Sequence, residues 1–100
     1  MDTEAIFKAL ANPVRRQILQ WLRAPEQYLP VELHDYIVPG SMCAGHIERL
    51  GGVSQSTMSN HLSVLQQAGL ITMQKRGQWS YFTRNEDLIQ QFIAYLKDAL

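Results

Sequence analysis

Apolar positions along this chain follow a helical period for most of its length and alternate strictly only in one short stretch near the C-terminal third. Over TEAIFKALA, Ile6, Phe7 and Leu10 share one side, and Asp2 or Thr3 can cap the start. Asn12-Pro13 interrupts that pattern. Proline suits the first position of a new helix, PVRRQILQWLRA, in which Val14, Ile18, Trp21 and Leu22 recur at helical spacing until Pro25 stops it. Residues 25 to 42 hold three prolines and a Pro39-Gly40 turn, yet also Tyr28, Leu29, Leu33, Tyr36, Ile37 and Val38. They are expected to be irregular or briefly helical, with apolar surface still to bury. CAGHIERLG reads as a short helix ending at Gly51-Gly52. Ser54 caps the next helix, with Met58, Leu62 and Leu65 facing inward and Gly69 as its stop.

ITMQKR and WSYFTR alternate, carry β-branched and aromatic residues and flank Gly77-Gln78, which predicts a two-stranded hairpin. Asn85 caps the last helix, NEDLIQQFIAYLKDAL. Its Leu88, Ile89, Phe92, Ile93, Tyr95 and Leu96 form an apolar face too wide for an exposed terminal helix of a monomer. The predicted order is α-α-α-α-β-β-α: a mainly α fold with a small β-hairpin, in a single domain over residues 1–100.

Composition narrows the class. With 46% apolar and 18% charged residues, the 100-residue chain is expected to fold, with a core modest enough that a dimer would help it. The single cysteine, Cys43, cannot form an intramolecular disulfide, and neither a secretory leader nor a run long enough to span a bilayer is apparent. A reducing, cytoplasmic setting is expected. Nine bases cancel nine acids, which alone argues against a nucleic-acid partner. Their distribution argues the other way: residues 49 to 85 hold no acid but carry Arg49, Lys75, Arg76 and Arg84. A neutral total can therefore conceal one surface with a positive field.

That acid-free window contains VSQSTMSNHLSVLQQAGLI, whose helix opens on short polar side chains that are poor helix-interior residues. An ordinary solvated face would use Glu, Lys and Arg. Two helices joined by a glycine-containing turn, HIERLGG followed by VSQSTMSNHLSVL, have the layout of a helix-turn-helix, whose second helix enters the major groove. Gln55, Ser56, Thr57, Ser59, Asn60 and His61 then fall at the reading end, where hydroxyl and amide groups reach base edges and phosphates. Lys75, Arg76 and Gln78 at the hairpin tip can meet the flanking backbone, and Arg15 and Arg16 can add phosphate contacts.

With these elements in place, nearly the whole chain resembles the ArsR family of winged helix-turn-helix transcriptional repressors. FKALANPVRRQILQWL, VSQSTMSNHLSVLQQAGLI and the wing KRGQWSYFT carry the match. The resemblance implies a homodimer built from the first and last helices (3–11 and 86–99), repression at an inverted repeat near a promoter, and release by an inducer such as a small molecule. Ile6, Phe7, Leu10, Leu88, Ile89, Phe92, Ile93 and Leu96 would supply the dimer interface. The metal-sensing members carry a C-x-C pair that would fall at Cys43 and Gly45, and only one cysteine is present; their alternative site on the last helix needs histidines that residues 85 to 100 lack. No metal site and no cofactor are expected.

Several residues admit two readings. His61 either contacts DNA or ties its helix to a neighbour. Cys43 and His46, three apart, share a helical face and would need His34 to complete a metal site; Cys43 is otherwise a candidate for oxidation sensing or simply a half-buried thiol. Residues 25 to 42 are expected to pad the core, the alternative being a small-molecule pocket edged by Tyr28, Leu33, Tyr36 and Ile37. Trp79 is expected to pack the wing. No nucleophile has an identifiable base, and no phosphate-binding loop is present, so catalysis is not expected. The competing function is a winged helix used for protein docking, which has no need to exclude acids from the whole of residues 49 to 85.

Overall fold

The structure, a computed structural model, describes residues 1–30 and 38–100. Side chains cap the starts of most of its α-helices. Helix α1 (Thr3–Leu10) starts at Asp2, whose carboxylate accepts from Ala5 N at 3.1 Å. Helix α2 (Pro13–Arg23) starts at Asn12, whose Oδ1 accepts from Val14 N (2.9 Å) and Arg15 N (3.2 Å) ahead of Pro13. A 3₁₀ turn, Pro25–Gln27, follows, with Pro25 buried in it and Leu29 buried just after it. Leu33, Tyr36 and Ile37 of the alternative pocket, and His34 of the candidate metal set, lie outside the described residues.

Here the fold departs from the expected hairpin. Ser41–Cys43 form a strand, β1, in a three-stranded antiparallel sheet with β2 (Ile71–Arg76) and β3 (Trp79–Arg84), in the order β1-β3-β2. Ser41 N and Oγ both donate to Val38 O (3.0 and 2.7 Å), which folds the chain over Pro39-Gly40 and lays the buried Met42 opposite Phe82. Three residues are too few to display an alternating pattern in sequence. Cys43, expected to open a helix, instead ends β1 and precedes α3 (Ala44–Gly51).

Helix α3 stops at Gly52 in the left-handed region (φ +64°), and α4 (Gln55–Gln67) begins three residues beyond it. A side chain on Gly51 would run into the end of Met58, so the bare glycine lets α3 and α4 cross closely. The chain then passes Gly69 into β2, turns at Gly77-Gln78 and returns along β3 into α5 (Glu86–Ala99). Gly77 has φ +62° and no described non-glycine residue has positive φ, which makes the turn type II′, matched in twist to its strands.

The core lies where these elements meet. Ile6 and Ala9 of α1, Ile18 and Leu22 of α2, Ile47 of α3, Met58, Leu62 and Leu65 of α4, and Met42, Ile71 and Phe82 of the sheet are all buried. Each large side chain removed from water contributes about 1.5–3 kcal/mol, so the inward stripe of α4 is what fixes which of its faces is left for solvent.

Candidate nucleic-acid interface

Helix α4 is set at its N-terminus by Ser54, whose Oγ accepts from Thr57 N at 3.2 Å and donates to Thr57 Oγ1 at 2.8 Å. Ser56 Oγ lies 3.3 Å from Ser54 Oγ. Met58, Leu62 and Leu65 point into the core, and Gln55, Ser56, Thr57, Ser59 and Asn60 are exposed. The first turn thus presents a bank of donors and acceptors without an acid, at the end where free N–H groups and the helix dipole favour a phosphate.

Beside this face lies an open groove of about 560 Å³, walled by Gln55, Ser56, Ser59, Ser63 and Gln66 of α4 and by Ser80 of β3, with Leu62 and Phe82 beneath and Glu48 of α3 at its side. Ser63, Gln66 and Ser80 were not singled out by the sequence pattern. The first two continue the stripe of Ser59 by four and seven residues, a signal that helical spacing does contain.

The wing's register sorts its charges. Lys75 pairs with Ser80 and Arg76 with Trp79. Neighbours along a strand point to opposite faces, so Lys75 shares the groove-side face with Ser80 and Phe82, while Arg76 and Trp79 occupy the other. Lys75, Arg76 and Gln78 are all exposed. Trp79, expected to pack the wing, is 54% exposed: its face of the hairpin has nothing laid against it at that end.

Three positively charged residues are hydrogen-bonded to the protein itself. Arg84 donates to Glu86 Oε1 at 2.7 Å and to Leu19 O at 3.1 Å, so the acid-free window supplies solvent with Arg49, Lys75 and Arg76 only. Arg15 donates to Ala9 O (2.7 Å) and Lys8 O (3.0 Å), and its Nη1 stands 3.2 Å from His61 Nδ1. Arg16 donates to Leu10 O. Both arginines therefore face the last carbonyls of α1, of which Lys8 O also accepts from Ala11 N at 3.2 Å. His61 is buried, on the core side of α4 and away from the exposed bank; burial, and then the Arg15 guanidinium, hold its pKa below the usual histidine value.

A helix-turn-helix closed by a basic, exposed wing has a counterpart among known proteins. The family of helix-turn-helix domains matches residues 10–74. An uncharacterized HTH-type transcriptional regulator of Bacillus subtilis, YbzH, is 38% identical over the full length of both chains. The B. subtilis transcriptional repressor SdpR is 31% identical, over 91% of this chain and 84% of its own. The solution structure of a homodimeric winged helix-turn-helix DNA-binding domain from Mycobacterium bovis, a possible ArsR-family transcriptional regulator, superposes with a TM-score of 0.67 at 26% identity, covering 96% of this chain and 76% of that one. The chain belongs to the ArsR family of winged helix-turn-helix transcriptional regulators.

In this ArsR-family chain the terminal helices carry the other unspent surface. Phe7 of α1 meets Phe92 of α5 edge to face at 5.3 Å, and Phe92 stacks on Tyr95 at 6.1 Å. Phe7, Ile93 and Tyr95 are exposed, while Leu10, Leu88, Ile89 and Leu96 are half-buried. Ile6 and Phe92, both expected at a dimer interface, are already buried within one chain and offer it almost no surface, because Ile6 belongs to the core and Phe7 covers Phe92.

At the start of α3, Cys43 Sγ lies 3.1 Å from His46 Nδ1. Burial, and then Arg49, lower the His46 pKa. Among the described residues no group of three His, Cys, Asp or Glu side chains converges on a point where a metal ion would sit.

Proposed function

We propose that two copies of this regulator pair through α1 and α5 and act as a repressor, occupying an inverted-repeat operator until an inducer other than a thiolate-bound metal releases them. The observation that carries the reading is the exposed, acid-free front of α4 beside a wing whose Lys75, Arg76 and Gln78 are free in solvent. Gln55, Ser56, Ser59 and Asn60 read bases in the major groove; Thr57, whose hydroxyl takes part in the cap, and Ser63 meet the backbone. Lys75 and Arg76 hold the flanking phosphates. Pairing is supported by the exposed Phe7, Ile93 and Tyr95 on adjoining helices and by the homodimeric state of the M. bovis domain. A single cysteine supports an inducer that is not a thiolate-bound metal.

Fluorescence anisotropy tests this, with DNA from the chain's own promoter region, a shuffled control and a salt series. Saturable preference for the promoter at two chains per site, with a steep salt slope, is the expected result. Equal, weak binding to the promoter, the control and a random-sequence library after selection would overturn it in favour of protein docking.

A further inference from the structure

A polar network joins three helices on the side of α4 turned away from the exposed bank. The Arg15 guanidinium, on α2, spends Nε on Ala9 O and Nη2 on Lys8 O, the last turn of α1, and holds Nη1 at 3.2 Å from His61 Nδ1 on α4. Guanidinium only donates, so His61 Nδ1 accepts and its proton sits on Nε2. The fork is planar and rigid, so three acceptors in fixed directions define where the two flanking helices stand relative to it. To reach a phosphate, Arg15 would have to give up its bonds to Ala9 O and to a buried imidazole, and Lys8 O would keep only Ala11 N.

We infer that Arg15 and His61 are positioning residues, a clamp that sets the angle of the recognition helix α4 against α1. The inference rests on the dimeric repressor proposed above, in which α1 lies at the interface. There the clamp also sets the angle between the two recognition helices. Half-sites lie about 34 Å apart, which puts each reading end about 17 Å from the two-fold axis, so a tilt of about 5° in both subunits moves each end by about 1.5 Å and the pair together by about 3 Å, close to one base-pair step. Arg15 and His61 touch no base, yet they decide which operator spacing fits.

The full-length chain carries the test, as wild type, Arg15→Gln, His61→Ala and His61→Asn. The asparagine keeps an acceptor near the position of Nδ1 and the alanine does not. Operators selected from random-sequence DNA are compared with a shuffled duplex and with versions one base pair longer or shorter at the centre, across a salt series. Amide hydrogen exchange is followed in the free protein, and thermal melting confirms that each variant is folded. Arg15→Gln and His61→Ala are expected to lower the preference for the selected operator on the order of tenfold and to blunt discrimination between spacings. Their salt slope and shuffled-DNA affinity stay at wild-type values, His61→Asn recovers most of the preference, and amides in α4 and the last turn of α1 exchange faster in Arg15→Gln.

A slope flattened by about 1.8 in Arg15→Gln, with spacing discrimination intact, would make Arg15 a phosphate contact in both subunits and overturn the clamp. Unchanged discrimination and unchanged exchange would overturn it as well. If wild type prefers no sequence, the repressor reading fails on its own, and exchange decides the clamp: faster exchange in Arg15→Gln supports it and unaltered exchange sinks it.

Discussion

Gly69 is the residue at which the recognition helix must end for the wing to begin, and Gly69→Ala is expected to cost about 2 kcal/mol. It lies in the left-handed region at φ +83°, inside a paired C-cap in which Leu70 N donates to Leu65 O (3.1 Å) and Gly69 N to Gln66 O (3.0 Å). An L-residue in that conformation costs about 1–2 kcal/mol. The added Cβ would also stand 2.7 Å from Leu88 Cδ1, which must leave its rotamer at a further cost of about 0.5–1.5 kcal/mol. Stiffening the unfolded chain offsets about 0.4–1 kcal/mol of this. A double-mutant cycle separates the two costs: in a Leu88→Ala background the collision is gone and only the backbone penalty remains, so Gly69→Ala should cost about 1 kcal/mol less there. Urea denaturation with matched m-values is the assay. Equal costs in both backgrounds would show that Leu88 does not confine this turn, and a cost below about 0.5 kcal/mol would refute the backbone argument itself.

Arg76→Gln and Arg84→Gln remove the same formal charge but are expected to act differently. The first should flatten the salt slope by about 1.8 for a dimer with little change in stability. The second should leave the slope alone and destabilise by about 1 kcal/mol, because Arg84 is held by Glu86 and Leu19 O. Equal slopes would mean that DNA responds to net field rather than to the wing. Gln55→Ala and Asn60→Ala should each relax preference at particular operator positions by about 1–3 kcal/mol per base pair, read by competition with single-base variants; uniform loss across all variants would assign them to the backbone. Folding stability should fall as pH is lowered from about 6.5, the unfolded histidine value, through the depressed folded values of His61 and His46. In that window the unfolded state binds more protons, so stability is fully present above it. Urea midpoints between pH 8 and 5.5 should therefore decline less in His61→Asn; an unaltered profile would clear His61 of the effect.

What was legible in the sequence is what local chemistry decides. Asp2, Ser54 and Asn85 each cap a helix by bonding a backbone N–H within three residues, Gly69 and Gly77 each mark a turn, and the stripe of Met58, Leu62 and Leu65 tells the inside of α4 from its outside. The exposed bank of the candidate site follows from that stripe by subtraction. What escaped depends on partners far along the chain. His61 meets Arg15 across 46 positions and Arg84 meets Leu19 across 65, so nothing near either residue distinguishes a buried clamp from a free cation or a reading side chain. β1 escaped for the same reason: a three-residue strand exists only because β3 is there to receive it. Trp79 was misplaced because aromatic residues usually bury, and only the sheet's packing reveals which end of a hairpin goes uncovered.

β1 has a kinematic consequence. It runs directly into α3, the leading helix of the helix-turn-helix, and pairs Ser41, Met42 and Cys43 with Thr83, Phe82 and Tyr81 of the wing. Swinging the wing against α3 would break ladder bonds worth about 1 kcal/mol each and draw Met42 out of the core. The reading head is thus one stiff link, with the hairpin as a fixed outrigger rather than a flap. In the proposed dimer the joints would lie outside such heads, so its gearing would be a matter of how two rigid bodies are aimed.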